Sequence, residues 1–449
     1  MRKRFLVPAA ALAWLGCGEP RPPLEGIDAH LLTEISKIRV IDNHGHPLKL
    51  TAEGEKPDEE YDALTFEEME PFPMPVRIRA DNHEYIGAWR LLWDYRHTDM
   101  SEAHVKEVLE AKQRRMRELG DGYPAWVLDR LGIETMLANR IAMGRGLAPP
   151  RFRWVSYVDA LMLPLSNERA KKENPDYRSF YRAEERLLRR YLAESGVSAL
   201  PGWNDYLAKV VTATLERHKA GGAVAVKFEA AYLRALDFDA AAEEEASRIY
   251  ARYASGGEPL PAEYKTLQDF LFRYIARECG RLGLAVHIHS CAGAGGYYKI
   301  GGTNPLLLDP VVNDPALRKT SFVLVHGGWP FTREAGALLA KPNVYADFSA
   351  LNFVLYPRDL AQILRTWLEY LPEKVLYGGD VEPFMPQINW EETGWLTVTT
   401  GRQALAMALT GMMADGEIAR ERALEISRLV LRENAARLYG LRAAGETAK

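Results

Sequence analysis

The sequence lacks a basic block, a strong charge of either sign and all but a few cysteines. Among its 449 residues there are 57 Lys and Arg against 61 Asp and Glu, which gives a formal net charge of −4. A chain without excess positive charge has no general attraction for a polyanionic backbone, so we expect no nucleic-acid partner. The content of 47% hydrophobic and 26% charged residues excludes a disordered or collagen-like chain. The sequence predicts a globular protein.

The amino terminus has no hydrophobic run long enough to cross a bilayer. Three basic residues precede the uncharged run 5–16, which ends at Leu15-Gly16-Cys17. A transmembrane helix needs about 20 apolar residues, whereas this layout is typical of a signal segment. It resembles a bacterial lipoprotein signal, with Cys17 as the lipidated residue. We expect residues 1–25 to be a leader and linker, and the protein to be exported and anchored. A cleaved secretory signal and a cytosolic protein with an apolar start are the alternatives.

The other two cysteines do not predict a disulfide. Cys279 and Cys291 flank a seven-residue strand pattern, 284–290. The ends of such a strand lie about 20 Å apart, whereas a disulfide needs Cα atoms within about 7 Å. We expect two free thiols.

Short apolar segments that alternate with helical patterns recur along the chain. Near-continuous apolar runs of this length are typical of parallel strands buried on both faces. Eight of them, separated by helices, predict an α/β fold of the (β/α)8 TIM-barrel class. We expect one domain over residues 26–445, with helical insertions after strand 1 (50–130) and strand 3 (165–220). The predicted strands are 38–43, 133–138, 154–161, 223–229, 284–290, 321–326, 344–348 and 375–379.

Two histidines close the first predicted strand. Side chains alternate along a strand, so His44 and His46 share a face, and Asp42 lies one layer deeper. Such a pair is a weak signal of a metal site by itself. The carboxyl ends of barrel strands form the active face, however, and this position favours a metal site.

Three other strand ends carry residues of the same kind. His287 and His289 end the fifth strand, His326 ends the sixth, and Asp380 ends the eighth. Convergent imidazole and carboxylate groups are typical of a zinc-type site with open positions for water or substrate. Each has a structural alternative, since His287 could be a core histidine and Asp380 a helix cap. The presence of such residues at four strand ends favours the metal site over these alternatives.

A lysine ends the fourth strand, in Val226-Lys227-Phe228. A buried ammonium is costly unless it is paired, and metal cations nearby would repel it. Reaction of the neutral amine with carbon dioxide would give a carbamate, an anion able to bridge two metals. The alternative is a Lys227 that points away from the metals and binds a substrate carboxylate.

Together these motifs resemble the amidohydrolase superfamily. The resemblance is to the amidohydrolase-related branch, which includes the amino-terminal domain of nodulin-like glutamine synthetase fusions. It covers the barrel in the family's order, and residues 50–130 and 165–220 only weakly. The motifs are Ile41-Asp42-Asn43-His44-Gly45-His46-Pro47, Val226-Lys227, His287-Ile288-His289, His326-Gly327-Gly328-Trp329-Pro330-Phe331, Gly378-Gly379-Asp380 and Asn434-Ala435-Ala436-Arg437-Leu438-Tyr439.

The resemblance implies one or two divalent metal ions, with zinc expected. It makes Asp380 the catalytic acid–base, and Lys227 the lysine that two-metal members carboxylate. We expect the substrate to contact three further side chains, His287, Tyr232 and Trp329, with Glu229 as a further pocket residue. The implied metal ligands are His44, His46, Lys227, His289, His326 and Asp380.

The expected activity is metal-dependent hydrolysis of a C–N bond, amide or related, in a small molecule. Metal-activated water would attack the substrate carbonyl, with Asp380 transferring the proton to the leaving amine. Two alternatives remain open. One is a decarboxylase of the same superfamily that uses a single metal. The other is an exported binding lipoprotein with a vestigial site.

Overall fold

A computed structural model describes residues 24–51, 54–64 and 68–441. Its centre is one sheet of eight parallel strands in sequential order, which confirms the predicted barrel class. All eight predicted segments contain a strand. The strands are β1 (Val40–Gly45), β2 (Ile133–Arg140), β3 (Phe152–Tyr157), β4 (Ala223–Phe228), β5 (Ala285–His289), β6 (Phe322–Val325), β7 (Val344–Asp347) and β8 (Val375–Leu376).

The ends of β1 and β8 close the barrel. The amide of Asn43 donates to the carbonyl of Tyr377 at 2.9 Å, and the amide of His46 donates to the carbonyl of Val381 at 2.8 Å. Gly45 and Val381 form a parallel bridge. The carboxyl ends of the first and last strands are therefore joined where both carry candidate site residues.

The barrel interior is filled by branched and small side chains. This layered packing is typical of an eight-stranded barrel, whose interior is a core and not a pore. Side chains of the carboxyl-terminal helix, among them Ala435 and Tyr439, pack against this core. The interior residues are Ile41, Leu137, Val155, Ala225, Ala285, Val323, Val325 and Leu376.

Helices surround the barrel and form the two predicted insertions. The insertion after β1 contains α2 to α4, and the insertion after β3 contains α6 to α9, with the short α5 between β3 and its start. The helices are α1 (Ala29–Lys37), α2 (Tyr85–Trp93), α3 (Glu102–Leu119), α4 (Tyr123–Leu131), α5 (Asp159–Met162), α6 (Glu168–Glu173), α7 (Arg178–Glu194), α8 (Trp203–Asp205), α9 (Ala213–Ala220), α10 (Glu243–Tyr253), α11 (Pro261–Leu282), α12 (Asp309–Val312), α13 (Thr332–Leu338), α14 (Leu351–Val354), α15 (Pro357–Leu368), α16 (Trp390–Ala414), α17 (Arg420–Arg428) and α18 (Asn434–Leu438).

The predicted strand boundaries differ from the observed ones by up to four residues, and the difference is largest at the third strand. The third was expected over 154–161, but β3 spans Phe152–Tyr157 and the chain then turns into α5. The apolar residues after Tyr157 are buried because α5 packs against α7. An apolar run in a short helical turn and one in a buried strand have the same sequence pattern.

A buried lysine fastens the first insertion to α16. The ammonium of Lys112 on α3 lies 2.8 Å from Glu391 and 3.0 Å from Glu392. The indole of Trp93 donates to Glu392 at 2.6 Å. Burial lowers the pKa of Lys112, but the two carboxylates raise it by more, so the net shift is upward. This ion cluster fixes the insertion against the barrel's last long helix.

Replacement of Lys112 by Met is expected to lower the free energy of unfolding by about 3–5 kcal/mol. The change leaves two buried carboxylates without their cation, and such a loss costs far more than the removal of a surface pair. Urea denaturation of the two proteins measures the difference. Lys106→Met, in the same helix but exposed, is the control and is expected to change it by less than about 0.5 kcal/mol. Equal effects of the two changes would contradict this account.

Both remaining thiols are as expected. Cys279 and Cys291 are free and buried. Cys17 lies outside the described residues, so its lipidation and the export of the protein stay predictions. None of the helices in the described part of the chain is both long enough and apolar enough to cross a membrane.

Candidate active site

Two candidate ligands at strand ends have an unusual backbone conformation. His326 has φ 67° and Asp380 has φ 58°, values in the left-handed region that non-glycine residues rarely adopt. Such a conformation costs about 1–3 kcal/mol and is concentrated at functional sites. In this conformation both side chains face the mouth of the barrel, where His44 lies.

Three potential metal-donor atoms, at the ends of β1 and β8, form a triangle, called the donor triangle below. The Nε2 atom of His44 lies 3.1 Å from Oδ1 of Asp380, and Nε2 of His46 lies 3.3 Å from the same oxygen. The two Nε2 atoms are 3.3 Å apart. Ligands about 2.0–2.1 Å from one tetrahedral ion lie about 3.3 Å from each other. The spacing therefore fits a shared divalent cation.

The protonation of His44, His326 and Asp380 also suits a metal. Burial and the charge of Lys227 hold the pKa of His44 well below its usual range. Burial raises the pKa of Asp380, but His326, His44 and His46 lower it by more, so the net shift is strongly downward. Burial is the main reason that His326 has a pKa of about 3. Neutral imidazoles and an ionised carboxylate are the forms that metals bind.

His46 is held from its other side by a carboxylate and a phenol. Its Nδ1 atom lies 3.3 Å from Asp62 and 3.2 Å from the hydroxyl of Tyr157, which donates to Asp62 at 2.7 Å. Burial lowers the pKa of His46, but Asp62, Asp380 and Glu382 raise it to about 10. A carboxylate at the second nitrogen fixes the orientation of a ligating imidazole and raises its basicity. Asp62 therefore holds Nε2 of His46 in its place in the donor triangle.

Asp62→Asn is expected to weaken metal binding by about 10–100-fold, because partners of this kind set ligand orientation and basicity. Competition with a metal-sensitive dye measures the affinity. Asp81→Asn, on an exposed residue of the same insertion, is the control. Unchanged affinity in Asp62→Asn would exclude this role for Asp62.

Lys227 points into the cluster and not away from it. Its Nζ atom is fully buried, 3.2 Å from Nε2 of His44 and 3.0 Å from a carboxylate oxygen of Glu229. This position agrees with the carbamate interpretation, because the nitrogen on which a carbamate would form faces the candidate ligand His44. A lysine that binds a remote substrate carboxylate does not require this contact.

His326 and His289 are the remaining candidate imidazole ligands, and His326 lies next to His44. The ring of His326 is 5.0 Å from that of His44 and 4.7 Å from that of His289. Nδ1 of His326 lies 2.9 Å from the hydroxyl of Ser349 and 3.7 Å from Oδ2 of Asp380. Ser349 in turn donates to Asp347 at 2.5 Å. These contacts connect the ends of β6, β7 and β8 around one centre.

The three residues expected to contact substrate lie in different surroundings. The ring of Tyr232 stacks obliquely on His289, with centroids 4.2 Å apart. His287 is fully buried, and its Nε2 lies 2.7 Å from the hydroxyl of Tyr439, so the structure places it in the core contact with the carboxyl-terminal helix. Trp329 is partly buried and packs against the hydrophobic core. Of the three, Tyr232 is the one that contacts a candidate metal ligand, His289.

Glu382, Asp62 and Tyr157 lie at the site, although no sequence motif singled them out. Glu382 lies 3.9 Å from His46, and its alternation with Asp380 was the available clue. Asp42, expected one layer below the histidines, accepts from the amide of Gly379 at 2.7 Å. A side chain at Gly379 would collide with this carboxylate, so glycine allows the close approach. Asp62 and Tyr157 lie in segments whose pattern indicates no chemistry.

A family comparison accounts for this constellation. The model of a family described as amidohydrolase matches residues 173–441, more than half of the chain. The chain belongs to the amidohydrolase family. Membership confirms the resemblance inferred from the strand-end motifs, although the matched region begins after the two histidines of β1. The geometry described above is thus the mouth of an amidohydrolase barrel.

One curated protein matches part of the sequence, and two solved structures match the fold. Protein fluG of Emericella nidulans is 35% identical to this amidohydrolase over 125 residues, which are 27% of this chain and 14% of that protein. A putative metal-dependent hydrolase from Lactobacillus casei has a TM-score of 0.58 at 16% identity, covering 93% of this chain and 100% of that one. Glucuronate isomerase from Caulobacter crescentus has a TM-score of 0.60 at 14% identity, covering 93% and 94%. The two solved structures share the barrel fold with this chain.

Proposed function

We propose that this amidohydrolase is a metal-dependent hydrolase that cleaves a C–N bond, amide or related, in a small molecule. The observation that carries the proposal is the triangle of His44, His46 and Asp380, whose atoms are 3.1–3.3 Å apart. Three such atoms this close need a proton, as on His46 in the metal-free protein, or a metal cation that displaces it. Family membership and the ionised Asp380 make a divalent cation the better occupant.

In this proposal the ligands divide between two metal positions. His44, His46 and Asp380 would hold one ion, and a carboxylated Lys227 together with His289 and His326 would be the residues available to hold a second. A bound divalent ion supplies a Lewis acid that lowers the pKa of a water molecule from about 15.7 to about 7 and polarises the substrate carbonyl. Zinc suits this mixture of imidazole and carboxylate ligands.

The two oxygens of Asp380 take different roles. Oδ1 faces the imidazoles of His44 and His46, whereas Oδ2 is on the side of His326. The second oxygen is therefore free to accept a proton from the attacking water and to deliver it to the leaving nitrogen. Asp62 and Tyr157 keep His46 in place, and Ser349 does the same for His326.

A product assay tests the proposal. The purified protein, loaded with zinc, is assayed on a panel of N-acyl and γ-glutamyl amides, with amine release as the readout. We expect release that a chelator stops and zinc restores. Carbon dioxide release from carboxylic acids with one metal per chain would instead identify a decarboxylase. Absence of bound metal after zinc loading would identify a binding protein.

A further inference from the structure

A second group of buried carboxylates lies beside the donor triangle, on the side of the insertion after β3. Asp159 in α5 and Glu184 in α7 belong to it, and both are buried, with exposures of 0% and 1%. Burial is the main cause that raises the pKa of both groups, to about 8 for Asp159, and the charge of Asp159 adds to the rise for Glu184. The charge of Glu229 raises the pKa of both groups further. Neither residue belongs to the ligand set proposed above.

Three carboxylate oxygens of this pair have no hydrogen-bond partner among the described residues. They are Oδ1 of Asp159 and both oxygens of Glu184. The backbone amide of Ala160 faces Glu184 and lowers its pKa, but by less than burial raises it. Buried polar groups are nearly always satisfied, and an unsatisfied one is destabilising, more so when it is charged. Two such side chains together point to a missing partner.

The pair is continuous with the candidate active site through Glu229. The free side of Asp159 is its Oδ1, because Oδ2 accepts from the backbone amide of Glu229 at 2.8 Å. The Glu229 carboxylate in turn lies 3.0 Å from Lys227. Glu229 therefore lies between Lys227 and Asp159, and a small substrate bound at the mouth of the barrel beside Glu229 would have Asp159 and Glu184 as its next neighbours.

We propose that Asp159 and Glu184 form a carboxyl subsite that releases its protons to solvent and becomes anionic when it binds a positively charged nitrogen group of the substrate, an ammonium or a guanidinium. The inference rests on the proposed function, because it takes the barrel mouth to be the substrate site. The three unpartnered oxygens match the donors of such a group, since an ammonium has three and a guanidinium offers a planar fork. Calcium would need about six to eight oxygen ligands, which fits three free oxygens less well.

Calorimetry with a matched pair of probes tests the subsite without any turnover. Propylguanidinium keeps its charge and does not ligate metals as an amine would, and propylurea has nearly the same shape without the charge. We expect the protein as purified to bind propylguanidinium at least about tenfold more tightly than propylurea, as removal of one partner of a buried charge pair predicts. Equal affinities for the two probes would overturn the proposal.

Variants then assign the binding to these residues. Glu184→Gln is expected to weaken propylguanidinium binding at least about tenfold, and Asp159→Asn to weaken it similarly. Glu194→Gln, at the exposed end of the same helix, is the matched control and should bind as the wild type does. Unchanged binding in both Glu184→Gln and Asp159→Asn would overturn the proposal.

Two further measurements separate the inference from its alternatives. The melting temperature of Glu184→Gln should equal or exceed that of the wild type, because the change removes an unsatisfied buried carboxyl. Calcium binding that Glu184→Gln abolishes, without propylguanidinium binding, would show a metal site and overturn the proposal. Asp380→Asn should keep propylguanidinium binding, so loss of hydrolysis and loss of this subsite are distinguishable.

Discussion

Asp380→Asn is expected to lower kcat by about 10²–10⁴-fold while the protein remains folded. An amide in this place keeps the size of the side chain, but it loses the charge that holds the metal and the oxygen that accepts the proton. General acid–base catalysis by one positioned side chain has this magnitude. Steady-state kinetics on an amide substrate from the panel, with circular dichroism as a check on folding, measures the effect.

The control for this prediction is Asp359→Asn, an exposed residue on α15. It should leave kcat and the melting temperature unchanged. If Asp380→Asn retained full activity, the proton-transfer role assigned to Asp380 would be wrong. If it retained metal but lost turnover, the residue would be the base without being a required ligand.

Lys227→Arg is expected to lower turnover by about 10²-fold or more and to reduce the bound metal from two equivalents to one. Arginine retains the positive charge, but its guanidinium stays protonated and cannot form a carbamate. The removal of one electrostatic group from a preorganised site has an effect of this size. The metal content and the activity of both proteins are measured after zinc loading with bicarbonate present.

Mass spectrometry of the native protein adds an independent readout. The wild type should carry the added mass of one carbon dioxide, which acid treatment removes, and Lys227→Arg should not. Lys219→Arg, an exposed lysine at the end of α9, is the control and should match the wild type in metal and turnover. One metal equivalent in the wild type, together with full activity of Lys227→Arg, would contradict the two-metal proposal.

The barrel could be predicted because its strands have a direct signal in the chain. Each is a short apolar run buried on both faces, and His46, His289 and Asp380 follow such runs at the carboxyl end. In a closed parallel barrel all these ends lie on one face, so a linear pattern implies spatial convergence. The structure brings Asp380 to within 3.3 Å of His46, although 334 positions separate them.

The supporting residues could not be predicted in the same way. Asp62 precedes α2 in a segment without regular periodicity, and Glu184 occupies a helix with many charged residues. Glu184 lies at helical spacing from buried leucine and tyrosine side chains, so the pattern places it on the buried face of α7, but no local pattern shows which groups it meets there. His287 shows the converse, because its place in a His-Ile-His motif suggested substrate contact, whereas its ring contacts Tyr439.

The central claim is that His44, His46 and Asp380 hold a divalent metal ion. Its most direct test is the metal content per chain, by elemental analysis, of the wild type and His46→Asn after zinc loading and removal of free metal. We predict at least one equivalent in the wild type and the loss of one equivalent in His46→Asn, whose fold is checked by its circular dichroism. Equal metal content in the two proteins, or none in the wild type, would contradict the claim.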